Sequence, residues 1–171
     1  ERQEDGYDAI MTNEKDVVLV GFSADCVLIY FYDKVKNAIA IAHSGWRGTV
    51  LGIGGKVVKR MKEEFGSNPE DIVCGIAPAI GVDHFQVDIP VVTAFRQAYD
   101  WADKFIYPDE NMAERWFIDL HSINEEILVN EGIKRENIEN SRICTQCDPD
   151  RFFSHRVMGA KRGTLAGFMS L

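Results

Sequence analysis

Cysteine is scarce in this chain, four among 171 residues. That is too few for a disulfide scaffold in a domain of this size, and it fits a reduced, cytoplasmic protein. Long apolar runs are missing too. None approaches the roughly 18 residues that a membrane span needs, so no membrane partner is expected. Positive charge is short, with 19 basic residues against 27 acidic and a net charge of −8. Such a chain has no electrostatic reason to seek nucleic acid or an anionic membrane, although it leaves room for a local basic pocket. The opening Glu1-Arg2-Gln3-Glu4-Asp5-Gly6 is polar throughout, carries no signal-peptide pattern and has no initiator Met. Residues 1–6 are therefore expected to be loose, and the chain to be a fragment or processed form that lacks an N-terminal segment of its parent. No internal repeat, low-complexity tract or linker divides it.

What is there is enough apolar material for one good core: 46% of residues are hydrophobic, and the length argues for a single domain, residues 1–171. Val17 to Phe22 reads as a buried strand. Val27 to Tyr32 and Ala38 to Ala42, split by the charged turn Asp33 to Asn37, read as a β-hairpin or two neighbouring strands. Thr49 is a candidate N-cap for a helix reaching about Phe65, with Val50, Ile53, Val57, Met61 and Phe65 on one face. Gly52, Gly54 and Gly55 weaken its first turns. Asp71 to Ala77 is a further buried strand, Asp88 and Pro90 open a helix to about Tyr99, and residues 100–115 are irregular. Trp116 to Leu120 reads as a strand and His121 to Asn130 as a helix. Ser141 to Thr145, Phe152 to Arg156 and Thr164 to Leu171 read as short strands around a polar loop. Strand signals outnumber what a plain βαβ alternation gives, which predicts an α+β fold, a layered sandwich of mixed β-sheets flanked by helices.

The chemistry concentrates where the two hairpin strands end. Ser23-Ala24-Asp25-Cys26 precedes the first, and His43-Ser44-Gly45-Trp46-Arg47-Gly48-Thr49 closes the second. Taken alone, Cys26 is a small buried hydrophobe and His43 a satisfied core histidine. A hairpin brings them to one rim, where a thiolate and an imidazole make either a soft metal site or a Cys–His nucleophile pair. Arg47, between two glycines, has a planar fork suited to phosphate or carboxylate. Trp46 is either core or a flat surface for a ring to stack on. His155 and Arg156, after the aromatic pair Phe152-Phe153, resemble pocket lining. Cys144-Thr-Gln-Cys147 has the spacing of half a zinc ribbon or a redox pair, but no second pair and no thioredoxin-like helix accompany it. Cys74 reads as core, and His84 and His121 carry little signal. Glycines 52–55 are no P-loop, since no Gly-Lys-Ser/Thr follows.

Gly6 to Thr12, Ala24-Asp25-Cys26, His43 to Thr49, Gly75 to Gly81 with Phe85-Gln86-Val87, and Phe152 to Arg156 occur in this order. The series resembles the laccase-domain family, also called the peptidoglycan editing factor or polyphenol oxidoreductase family, whose members are described as purine nucleoside phosphorylases. The resemblance covers essentially the whole chain. It implies a zinc or copper site built from two histidines and one cysteine. Cys26 matches the cysteine and His43 the second histidine, and the first is expected upstream of residue 1. It also implies purine nucleoside and phosphate as partners, an adenosine deaminase side activity, and a monomer or small homo-oligomer. Two departures stand out: Ser23 replaces a frequent Thr, and Lys161-Arg162-Gly163 changes the order of the family's closing Gly-Arg, so Arg162 is given no phosphate role. On this pattern Cys26, His43 and Arg47 are catalytic. Trp46, His155 and Arg156 bind substrate. A metal-free Cys–His hydrolase acting on an amide or cell-wall peptide, and a non-catalytic nucleoside-binding module, are the alternatives. A copper phenol oxidase is disfavoured, because one Cys and two His cannot assemble several coppers.

Overall fold

A computed structural model describes residues 6–171; the expectation for residues 1–5 lies outside the described part. In chain order the strands and helices are β1 Ala9–Thr12, β2 Val18–Ser23, β3 Val27–Asp33, β4 Ala38–Ser44, α1 Trp46–Val50, α2 Ile53–Phe65, β5 Ile72–Ile76, β6 Gln86–Asp88 and α3 Ile89–Ala98. There follow β7 Ile106–Pro108, β8 Arg115–Ile118, α4 Leu120–Asn130, β9 Ile138–Asn140, α5 His155–Met158 and β10 Leu165–Ser170. A five-stranded sheet in the order β1-β4-β3-β5-β9 is the frame. A β2–β10 ribbon and a small β6-β8-β7 sheet complete the strands. The large sheet is mixed: β5 and β9 run parallel and its other pairs antiparallel. The architecture is α+β, as its strand-rich pattern predicts.

Period-two alternation assigns the two faces of the sheet. Val27, Ile29 and Phe31 of β3 and Ala38, Ala40 and Ala42 of β4 join the core beneath the helices. Leu28, Tyr30, Ile39 and Ile41 point the other way, against Leu19 and Met169 of the ribbon. Both faces are covered, which is why β3 and β4 read as continuous apolar runs rather than alternating ones. The ribbon lies close: a Cβ at Gly167 would overlap the Tyr30 hydroxyl, so a larger residue there would have to displace that side chain.

Five expectations need correction. The helix expected over Thr49–Phe65 is two helices. It begins at Trp46 with Gly45 in extended geometry, and it breaks at Gly52, whose φ of 67° is left-handed. Thr49 is an interior residue of α1 whose hydroxyl donates back to the Gly45 carbonyl. The strand over Val17–Phe22 is half-exposed rather than buried, with Val18 and Phe22 on the outer face of the ribbon. Residues 152–156 are a turn leading into α5, because the Ser154 hydroxyl accepts from Val157 N as an N-cap. Residues 141–145 contribute one isolated bridge, Ala79 to Cys144. Residues 100–115, expected to be irregular, contain β7 and a short 3₁₀ turn at 102–105. The helical stripes behave as expected: Val57 and Met61 are buried while Val50, Ile53 and Phe65 pack beside them, and α4 turns Ile123, Ile127 and Leu128 inward.

Candidate active site

The register of β3 on β4 builds the rim. Val27 faces Ser44 and Leu28 faces His43, so Cys26, one residue before β3, comes opposite the Gly45 turn. A Cβ placed on Gly45 would lie 3.1 Å from Cys26 Sγ and 3.7 Å from His43 Cε1. Thiol and imidazole thus both border Gly45, where an added methyl would make the Cys26 thiol give by a few tenths of an ångström. The His43 amide donates to the Asp8 carbonyl at 2.7 Å, and His43 Nδ1 lies 3.4 Å from Asp8 Oδ1. With Nδ1 turned towards Asp8, Nε2 is the ring nitrogen left to face a ligand.

The donor chemistry of the rim meets part of the metal set that the resemblance implies. Cys26 and His43 fit as two members of a soft N/S set. Among the described residues no third His, Cys, Asp or Glu donor stands with them in one cluster. Burial pushes the Cys26 thiol up, and the Asp25 carboxylate adds to this. Arg162 pulls the other way, and Asp8 contributes a further upward push.

Beneath the rim the backbone is held by two buried polar networks. Ser44 Oγ donates to Asn124 Oδ1 at 2.7 Å and lies 3.0 Å from Thr49 Oγ1, while Asn124 Nδ2 donates to the Leu120 carbonyl at 2.8 Å. All three side chains are fully buried. This network ties the end of β4 and the first turn of α1 to α4. The second centres on Asp25, a non-glycine residue at φ 80°. It accepts from Thr145 Oγ1 at 2.6 Å, Ser154 Oγ at 3.1 Å and Arg156 N at 2.7 Å. A residue in the left-handed region is held there by its surroundings. Here those surroundings are three donors from the far end of the chain.

Trp46 opens onto a hollow of about 400 Å³ that Phe85, Val91, Arg115 and Arg156 also line. Arg156 packs its guanidinium 5.8 Å from the Phe85 ring centroid and donates through NH1 to the His84 and Gln86 carbonyls. Of the predicted substrate-binding residues, Trp46 and Arg156 share this hollow. His155 does not line it; it is exposed at the start of α5 and accepts from Arg162 Nε at 3.2 Å. Arg47 is exposed, with its guanidinium 4.3 Å from the Trp46 ring centroid, a cation–π stack that presents the charge beside the hollow. The sequence assigns Asp25 and Asp8 no role, although Asp25 stands next to Cys26; it raises Arg162 only as a phosphate ligand, and the arginine's pull on the Cys26 thiol comes from the fold.

The sequence profile of the family described as "Multi-copper polyphenol oxidoreductase laccase" matches residues 1–171. A Bacillus subtilis protein named purine nucleoside phosphorylase YlmD is 39% identical over 164 residues, 96% of this chain and 58% of its own length. The human purine nucleoside phosphorylase LACC1 is 35% identical across 99% of the chain, which spans 39% of that protein. A prokaryotic protein named adenosine deaminase RL5 is 33% identical over 93% of the chain and 60% of its own length. Among solved structures, Bacillus licheniformis YfiH, described as a hypothetical protein, superposes with a TM-score of 0.91 at 37% identity, covering 96% of this chain and 61% of that one. YlmD of Geobacillus stearothermophilus gives 0.88 at 34% identity, with 96% and 61% covered. The chain therefore spans about three-fifths or less of the relatives named here.

Proposed function

The chain belongs to the multi-copper polyphenol oxidoreductase laccase family, and within it we propose a metal-dependent purine nucleoside phosphorylase. Its substrates would be adenosine or inosine and phosphate, and its products the free base and ribose 1-phosphate. The observation that carries this reading is the meeting of Cys26 Sγ and the His43 ring around Gly45, next in the chain to Trp46 and its hollow. Relatives named as purine nucleoside phosphorylases, at 35% and 39% identity over nearly the whole chain, support it.

In phosphorolysis a phosphate oxygen bonds to C1′ of the ribose as the C1′–N9 bond breaks. The purine leaves with the bonding pair and takes the proton that the phosphate gives up. Cys26 and His43 would hold zinc, or copper, which when bound supplies positive charge and Lewis acidity at the rim. The remaining work falls to the chain. Arg47, steadied on Trp46 with its fork beside the hollow, binds the phosphate oxyanion and stabilises charge as the glycosidic bond opens. Trp46 and Phe85 offer aromatic surface to the purine. Arg156 brings positive charge to the same hollow while its NH1 is committed to two carbonyls. Asp25 acts as a positioning residue, fixing the segment that carries Cys26.

A second reading rests on the relative named adenosine deaminase. With water replacing phosphate and C6 of adenine replacing C1′, the same rim would convert adenosine to inosine and ammonia. The metal-free Cys–His hydrolase fares worse. None of the relatives named above is described as an amidase or peptidase.

The experiment is to incubate the intact, metal-loaded protein with adenosine, with and without phosphate, and identify the products. Adenine and ribose 1-phosphate appearing only with phosphate support the phosphorylase. Inosine formed alike in both arms selects the deaminase reading instead. Nucleoside bound without turnover leaves a binding module and sinks the proposal.

A further inference from the structure

His84, Cys144 and Cys147 form a second cluster of metal-ligating groups, made of residues that the proposed reaction does not use. Their donor atoms all lie within 4.8 Å of one another. His84 Nδ1 is 3.6 Å from Cys144 Sγ and 3.7 Å from Cys147 Sγ. A zinc ion with Zn–S of about 2.3 Å and Zn–N of about 2.0–2.1 Å at tetrahedral angles requires an S···N edge of about 3.6 Å. The His84 ring nitrogen and the two sulfurs stand at that spacing. We propose that His84, Cys144 and Cys147 bind a zinc ion at a site separate from the Cys26–His43 rim.

Three features of the fold make this a built site rather than a chance approach. Cys144 is fixed by backbone pairing to the loop that carries His84: the Ala79 amide donates to the Ile143 carbonyl, and the Thr145 amide to the Ala79 carbonyl. The loop then turns back on itself, with the His84 and Phe85 amides both donating to the Gly81 carbonyl. Finally, the Gly81 amide donates to Cys144 Sγ at 3.2 Å, the kind of N–H···S contact that stabilises a coordinating thiolate. A Cβ at Gly81 would stand 3.0 Å from Cys144 Cβ and 3.2 Å from its Sγ, so a larger residue there would push the thiol aside.

The donor set selects the metal. Two thiolates and one imidazole are soft to borderline ligands that suit zinc, and with two thiolates the bound ion is charge-neutral. On binding, each thiol releases its proton to solvent. Cys147 is exposed, so an ion can reach the cluster from solvent. The ion would staple the 79–85 loop to the 144–147 turn, and that turn delivers Thr145 to Asp25. The Cys-x-x-Cys motif thus finds its third ligand far away in sequence, at a histidine that looks uninformative on its own.

The test uses the intact protein carrying Cys26→Ala, which silences the thiol of the rim while leaving the second site untouched; Cys74 is buried in the core. Cobalt(II) titration is expected to give one equivalent per chain with a thiolate-to-cobalt charge-transfer band and the visible bands of a tetrahedral ion. Adding Cys147→Ser, a change at an exposed position, should halve the charge-transfer intensity, and zinc should bleach the spectrum by displacement. Absence of a thiolate band in Cys26→Ala protein, or a band that Cys147→Ser leaves unchanged, would overturn the site. A Cys144–Cys147 disulfide in protein acid-trapped directly from cells would also overturn it. None of these results bears on Cys26 and His43, so the two proposals fail separately.

Discussion

Thr145 Oγ1 donates to Asp25 Oδ1 at 2.6 Å across 120 residues of chain, one residue from the proposed ligand Cys26. This bond and its two companions make the conformation of the Cys26 segment depend on the last third of the sequence. Asp25→Ala leaves two buried hydroxyls and one amide without an acceptor. The expected cost is at least about 3 kcal/mol, since each of the three orphaned donors costs about 1–3 kcal/mol. Urea unfolding should show the midpoint falling at constant m. A loss under about 0.5 kcal/mol would mean that the network does not hold the segment.

Ser44 and Asn124 make the complementary tie on the His43 side. Asn124→Leu keeps approximate volume but removes the acceptor of Ser44 Oγ and the donor to the Leu120 carbonyl. A destabilisation of about 2–3 kcal/mol is expected from the unsatisfied buried groups, checked by thermal and denaturant unfolding. Wild-type stability in this variant would contradict the network's role.

Tyr99 gives a pH signature. Its hydroxyl donates to the Thr49 carbonyl at 2.7 Å where α1 ends, and burial, with the Glu131 carboxylate beside it, pushes the phenol up to about 12. The ordinary phenol titrates near pH 10, so the folded state holds this proton more tightly than the unfolded chain. The contribution is present below about pH 10 and is lost as pH rises towards 12. Absorbance titration of the folded protein should show a late phenol that disappears in Tyr99→Phe. The variant's stability should also fall less steeply than that of the wild type over this range.

Arg47→Ala tests the phosphate assignment without touching the proposed ligands. Under the phosphorylase reading kcat/KM for phosphate falls by about 100-fold, the loss typical of one charge-stabilising donor. Nucleoside binding should change far less. Steady-state kinetics with each substrate varied separately decides it, and equal losses for both substrates would point to general disruption of α1.

Much of the rim was legible in the sequence, for a local reason. Two apolar runs joined by a five-residue polar turn permit few pairings, and the observed register places Cys26 beside the Gly45 turn as a hairpin must. The features that escaped depend on topology or on competing local signals. Thr49 carries the chemistry of a cap, but the helix starts three residues earlier because its hydroxyl bonds inside the first turn. Phe152-Phe153 resembles a strand until Ser154 caps α5. β1 has four partly buried residues, a pattern too short to register. Asp25's donors, Arg162's approach to the thiol and His84's place beside Cys144 and Cys147 join positions that no local spacing connects.

The central claim is that the Cys26–His43 rim performs phosphate-dependent cleavage of purine nucleosides. It is tested most directly by measuring adenine release from adenosine in saturating phosphate for intact wild-type protein and for Cys26→Ala, both metal-loaded and shown to be folded. The account predicts turnover in the wild type and a loss of at least about 100-fold in the variant, the scale on which removal of one charge-stabilising group acts. Adenine release at the wild-type rate by Cys26→Ala would contradict it.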